Sequence, residues 1–160
     1  MKRFLNILIL FFQIGLTFGL TIGIYMIFSL LDYQGGIDGF IGIIFFQPIM
    51  GVMSSLFTII VCLIVGLPIR LNKRIKKWWN NRFYIAFGGV ICGLTFIIIS
   101  LIPDLMTTII TQNGDQEVLK KIPNLYLIVG GWFIMAFSTL HLFPPTFLVR
   151  RFVNVIKRLK

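Results

Sequence analysis

Four uncharged stretches, at 4–31, 39–69, 83–103 and 122–149, are separated along the chain by short segments that hold nearly all its charge. Each exceeds the ~20 residues that an α-helix needs to cross a ~30 Å hydrocarbon core. Membrane strands would alternate apolar and polar residues over about ten positions, whereas the run at 43–66 is apolar on every side. The pattern predicts an all-α membrane protein with four transmembrane helices, forming one integral membrane domain over residues 1–160.

The chain also matches itself. At a shift of 78, Gly15-Leu16-Thr17-Phe18 falls on Gly93-Leu94-Thr95-Phe96, and Gln34 and Gly36 fall on Gln112 and Gly114. At a shift of 77, Pro68, Leu71, Arg74 and Ile75 meet Pro145, Leu148, Arg151 and Phe152, while Ser54 meets Gly131. Ordered matches of this kind predict two tandem helical hairpins, residues 1–79 and 80–160, related by an axis along the membrane normal. Carrying helix 1 and helix 2 onto the second half extends helix 3 past Pro103 to about Ile110. It likewise starts helix 4 near Gln116, ahead of Pro123. Helices of ~27 residues are ~40 Å long, so the bundle is expected to tilt or to project beyond the headgroups. Pro48 and Pro123 are places for kinks.

Each half ends in a basic amphipathic segment. The first sets Leu71, Ile75, Trp78 and Trp79 against Arg70, Lys73, Arg74, Lys76 and Lys77. The second sets Leu148, Phe152, Val155, Ile156 and Leu159 against Arg151, Asn154 and Arg158, with Arg150 and Lys157 as further headgroup contacts. Both read as helices at the inner interface that contact anionic headgroups. A straight continuation of each long helix into the cytoplasm is the other geometry.

Charge placement sets orientation. Thirteen of the fifteen Lys and Arg residues flank the same ends of the four stretches, whereas all five acids fall in the two other loops beside Lys120 and Lys121. The positive-inside rule then predicts a multi-pass protein of the inner (plasma) membrane with both termini cytoplasmic. The same placement explains the net charge of +10 without nucleic acid. Its expected partners are anionic lipids at the cytoplasmic face. A mean hydropathy of +0.95 with 12% charged residues leaves little chain for a soluble domain. The first apolar run is too long for the h-region of a signal peptide, and no small-residue cleavage site follows it.

Candidate chemistry is sparse. Gly15, Gly19 and Gly23 share one face of helix 1, and Gly89 and Gly93 form a ridge on helix 3. Such small-residue faces let backbones approach in lipid, and the expectation is that helices 1 and 3 meet there, with Ser54 and Gly131 as mid-helix packing positions. An oligomer seam or a pore wall is the functional alternative. The polar residues within the stretches are neutral: Asn6, Gln13, Thr17, Thr21, Gln47, Ser54, Ser55, Thr58, Thr95, Ser138 and Thr139. Their hydroxyls are expected to bond back to their own helices, without forming one stripe. No Asp, Glu, Lys or Arg lies deep in a stretch, which argues against an ion-coupled transporter. His141 reads as an interface residue, and Cys62 and Cys92 as small hydrophobes. The acids Asp104, Asp115 and Glu117 follow from charge segregation. No catalytic motif, cofactor-binding motif or metal-ligand spacing is present in the sequence. The expectation is a non-enzymatic structural or accessory membrane protein, with homo-oligomer or membrane-protein contacts open to it. The alternative is a small channel or passive transporter.

Overall fold

The computed structural model describes residues 2–31, 37–113 and 116–144. The described chain is mostly helical. Helix α1 spans Lys2–Leu31, and α2, Ile37–Ile41, runs through a π turn at Gly42–Phe46 into α3, Gln47–Val65. Two short helices follow, α4 at Leu67–Leu71 and α5 at Lys73–Asn81, then α6 at Phe83–Ile99. An antiparallel hairpin of β1, Thr107–Asn113, and β2, Gln116–Ile122, leads to α7, Leu125–Leu140.

Two segments, Ile7–Leu31 and Gly39–Val65, are long and apolar enough to cross a membrane; α5 and α6, bent by 72°, make a third if taken as one span. The remaining apolar helix, α7, has 16 residues. The exterior suits lipid, with Phe11, Phe12, Phe46 and Phe57 each about two-thirds exposed while Gln13, Thr17, Thr21, Ser55 and Thr58 are buried. This inside-out arrangement is consistent with a membrane location.

The π turn lies immediately before Pro48. A proline ring clashes with the carbonyl four residues back in a regular helix, and the Gln47 N–H reaches Gly42 O in the wider turn instead. The proline kink expected in helix 2 thus takes the form of a π turn. At the other end of α3, Pro68 occupies the first turn of α4, where its missing N–H costs nothing. Asn72 then interrupts the helix in extended conformation (φ −84°, ψ 115°). Its side chain caps α5 by accepting from Arg74 N at 2.9 Å and Ile75 N at 3.4 Å. The first amphipathic segment is therefore a separate helix and not a straight continuation. The second, with Arg150, Arg151, Lys157 and Arg158, lies outside the described residues.

Two expectations for the second half are corrected. Helix 3 does not reach Ile110 and helix 4 does not begin near Gln116, because paired strands occupy 107–113 and 116–122, so the fold is not purely α-helical. The helix stops at Ser100, whose buried hydroxyl donates to Ile97 O at 2.6 Å, and turns around Pro103 carry the chain away. The first strand opens with Thr107, Thr108, Ile109, Ile110 and Thr111, whose branched side chains favour a pleated strand. Helix α7 begins only after Pro123, capped by Asn124, which accepts from Tyr126 N and Leu127 N. Pro123 thus precedes the helix and makes no kink in it.

Helix α7 is the packing centre, touching α1, α3 and α6. Ile59 and Cys62 of α3 meet Ala136 and Leu140 of α7 in a core lined by Ile14, Phe18 and Phe137. The closest approach joins α6 to α7. A Cβ on Gly93 would stand 2.6 Å from Gly131 O and Met135 N, and one on Gly131 would stand 2.6 Å from Gly93 O. Gly89 faces Ser138 one turn away. The predicted seam between helices 1 and 3 is absent among the described residues, since a Cβ on Gly15, Gly19 or Gly23 would meet nothing within 4 Å. The reason is geometric. Gln13, Thr17 and Thr21 lie two residues before those glycines, about 200° around the helix. Only one of the two faces can be buried, and lipid favours burial of the polar one.

Candidate functional site: a polar junction at the basic end

Helix α7 ends with carbonyl groups that have no partner within the helix, as every helix does. At and just past the end of α7 the carbonyls of Leu140, His141 and Leu142 each accept from a different element, and His141 O also accepts from Phe143 N at 3.1 Å. Arg70 Nη2 of α4 donates to Leu140 O at 2.9 Å. Trp79 Nε1 of α5 donates to His141 O at 2.8 Å. Gln13 Nε2 of α1 donates to Leu142 O at 2.9 Å. The Gln13 Oε1 accepts from Arg70 Nη2 at 3.3 Å and closes the network. A cation at a helix C-terminus also complements the negative end of the helix dipole.

Arg70 is half-buried, and burial pulls its guanidinium below its ordinary pKa. It remains a cation, because arginine is effectively always protonated. Its Nε is buried without a partner. Its Cζ lies 5.9 Å from the centroid of the Phe143 ring, and Lys76 Nζ lies 5.7 Å from the same ring. Such placements over an aromatic face offset part of the desolvation.

His141 is fully buried. Its Nδ1 lies 2.8 Å from Phe137 O. A carbonyl only accepts, so Nδ1 carries the hydrogen. The ring sits 4.5 Å from the Phe137 centroid. On its other side it covers Gly66, where any side chain would collide with Nε2 and Cε1. Nε2 has no hydrogen-bond partner. His141 is thus a packing residue inside the junction, not the interface residue expected from the sequence.

The junction divides the residues that the sequence assigned to lipid headgroups. Arg70 and Trp79 turn inward, and Trp79 packs edge-on against Phe137 with ring centroids 6.2 Å apart. Lys73, Arg74, Lys77 and Trp78 face outward, and Arg82 lies 4.9 Å from the centroid of Trp78. Lys76 is intermediate. Of the packing positions, Gly93 and Gly131 meet each other and Gly89 meets Ser138, while Ser54 is exposed on α3.

A polar seam continues from the junction along the bundle. Thr17 donates to Gln13 O, Thr21 to Thr17 O and Thr139 to Met135 O. Thr58 donates to Ser54 O and accepts from Trp132 Nε1 at 2.9 Å. The i, i+4, i+8 spacing of Gln13, Thr17 and Thr21 was the available signal for this stripe, against the expectation that none would form. Cys62 is buried and Cys92 exposed. Among the described residues no three His, Cys, Asp or Glu side chains cluster as metal ligands would. Comparison of the chain with protein-family models, with curated proteins and with solved structures finds no match in any of the three.

Proposed function

We propose that this chain is a non-enzymatic, four-span accessory protein of the inner membrane. Both termini are cytoplasmic, and α5 serves as a cationic plate against anionic headgroups. The observation that carries the reading is the Trp79–His141 hydrogen bond, which ties α5 to the bundle while Lys73, Arg74, Lys77 and Trp78 face outward. A free amphipathic helix loses conformational entropy when it settles on a membrane; a tethered one has lost it already. Spans three and four are α6 with the turn that follows, and α7 with its flanks. At 17 and 16 residues these helices require local thinning of the bilayer or polar ends near the headgroups. The outward glycine face of α1 suits a second helix, from another copy or from a partner membrane protein.

The channel reading finds less support. A water path needs unpaired polar groups along its wall, whereas Thr17, Thr21, Thr58 and Thr139 each donate to a carbonyl of their own helix.

The test is thermal unfolding of the protein in nanodiscs of phosphatidylcholine with and without phosphatidylglycerol. Anionic lipid should stabilise the native protein, and Lys73→Gln/Arg74→Gln/Lys77→Gln should remove most of that gain, at about 1 kcal/mol per charge. Stability that ignores lipid charge would refute the plate. Reporter fusions that place either terminus outside would refute the topology.

A further inference from the structure

At the hairpin end a cleft of about 1150 Å³ lies between α1, the π turn, the 101–106 segment, the end of β2 and the start of α7. Small-molecule sites typically occupy ~300–1,000 Å³, so it has room for more than a compact metabolite. Its apolar walls include Phe28, Ile43, Leu101, Met106 and Ile128.

The polar groups of the lining are few. Tyr25 Oη donates to Gln47 Oε1 at 2.9 Å, which leaves the carboxamide N–H bonds of Gln47 for a further acceptor. Ser29 Oγ is buried with no hydrogen-bond partner. A serine on a helix usually bonds back to its own backbone. Among the described residues the ionisable side chains of the lining are Lys120 and Lys121, and Lys121 is exposed. Asp104, also exposed, is not part of the lining.

Donors beside long apolar walls, with lysines as the charged members, match one kind of molecule. We propose that this cleft binds an anionic phospholipid of the leaflet at the hairpin end. The phosphate lies at Lys121, the ester oxygens take the Ser29 and Gln47 donors, and an acyl chain runs along Phe28, Ile43 and Ile128. The assignment is independent of the α5 plate, which belongs to the opposite end of the bundle.

Native mass spectrometry of the detergent-solubilised full chain, loaded with equal amounts of phosphatidylglycerol and phosphatidylcholine, tests it. One phosphatidylglycerol should be retained in preference. Lys121→Glu should reduce that preference about tenfold, or about 1.4 kcal/mol. Gly42→Leu should abolish retention, because its side chain enters open space in the cleft, where a Cβ meets nothing within 4 Å. Its thermal unfolding should stay close to that of the parent. The Lys73→Gln/Arg74→Gln/Lys77→Gln variant should retain the cleft lipid, so failure of the plate and failure of the cleft are distinguishable. Equal retention of both lipids, or a preference unchanged by Lys121→Glu, would overturn the proposal. So would a preference for a long-chain fatty acid when it is added in equal amount beside phosphatidylglycerol. If Gly42→Leu does not fold, the exposed Lys121→Glu decides.

Discussion

The two halves of this chain match letter for letter at Gly15–Phe18 and Gly93–Phe96, yet they form different structures. The first half joins a 30-residue helix to a continuous span from Gly39 to Val65. The second has helices of 17 and 16 residues with a β-hairpin between them. The glycines at the matched positions also have opposite surroundings, since Gly15 faces open space and Gly93 lies against the α7 backbone. A small residue in a membrane helix permits a close approach but does not choose the partner. The choice is made by the residues on the opposite face of the same helix.

Substitutions at matched positions probe this difference, and the largest effect is expected at Gly93. Gly93→Leu drives a branched side chain into the Gly131 and Met135 backbone, and backbone cannot be displaced as a side-chain tip can. A loss of about 3 kcal/mol or more is expected, read as collapse of the folded species in thermal unfolding and size-exclusion chromatography. A stable monomer would break the proposed packing of α6 on α7.

Gln13→Ile gives the first half the residue that the second carries at the matching place, Ile91. It leaves Leu142 O without its donor and Arg70 without one acceptor. The expected cost is about 1–3 kcal/mol in thermal or chemical unfolding. Ile91 is half-exposed, so the reciprocal Ile91→Gln meets no such network and instead sets a polar group toward lipid.

Ile109→Pro sharpens the contrast between the connections. It disturbs the pairing of Ile109 with Lys120 and should cost about 1 kcal/mol, confined to the hairpin. Amide exchange should rise over β1 and β2 while α6 and α7 keep their protection. Loss of protection along both helices would mean that the hairpin holds them together. The smallest effect belongs to Gly15→Leu, whose stability should stay within about 0.5 kcal/mol of the parent. Any change there should appear in assembly size.

The signal for the hairpin was present in the sequence. Asn113-Gly114-Asp115 closely follows the β-branched run at 107–111, and asparagine followed by glycine is a strong short-range hairpin signal. The match to helix 1 points to a continued helix over the same residues, and the local turn chemistry prevails over it. The polar stripe of α1 was legible too, at intervals of four residues. What periodicity could not show is that Gln13 would cap a helix 129 positions away, or that Arg70 and Trp79 would leave the basic face for the same helix end.

The apolar stretches, the segregation of charge, the amphipathic segment from Arg70 to Trp79 and the change of character after Pro68 are legible in the residues alone. These follow from side-chain chemistry within a few residues of one another, where length, period and capping act directly. Only the tertiary structure decided which face of α1 is buried, which glycines touch, and which of the clustered cations turn inward. The buried face of α1 and the inward turn of Arg70 and Trp79 answer the carbonyls of Leu140, His141 and Leu142 at and just past the end of α7, where a helix leaves acceptors without intrahelical partners. Donors from α1, α4 and α5 meet that demand, and it becomes visible only once distant parts of the chain are brought together.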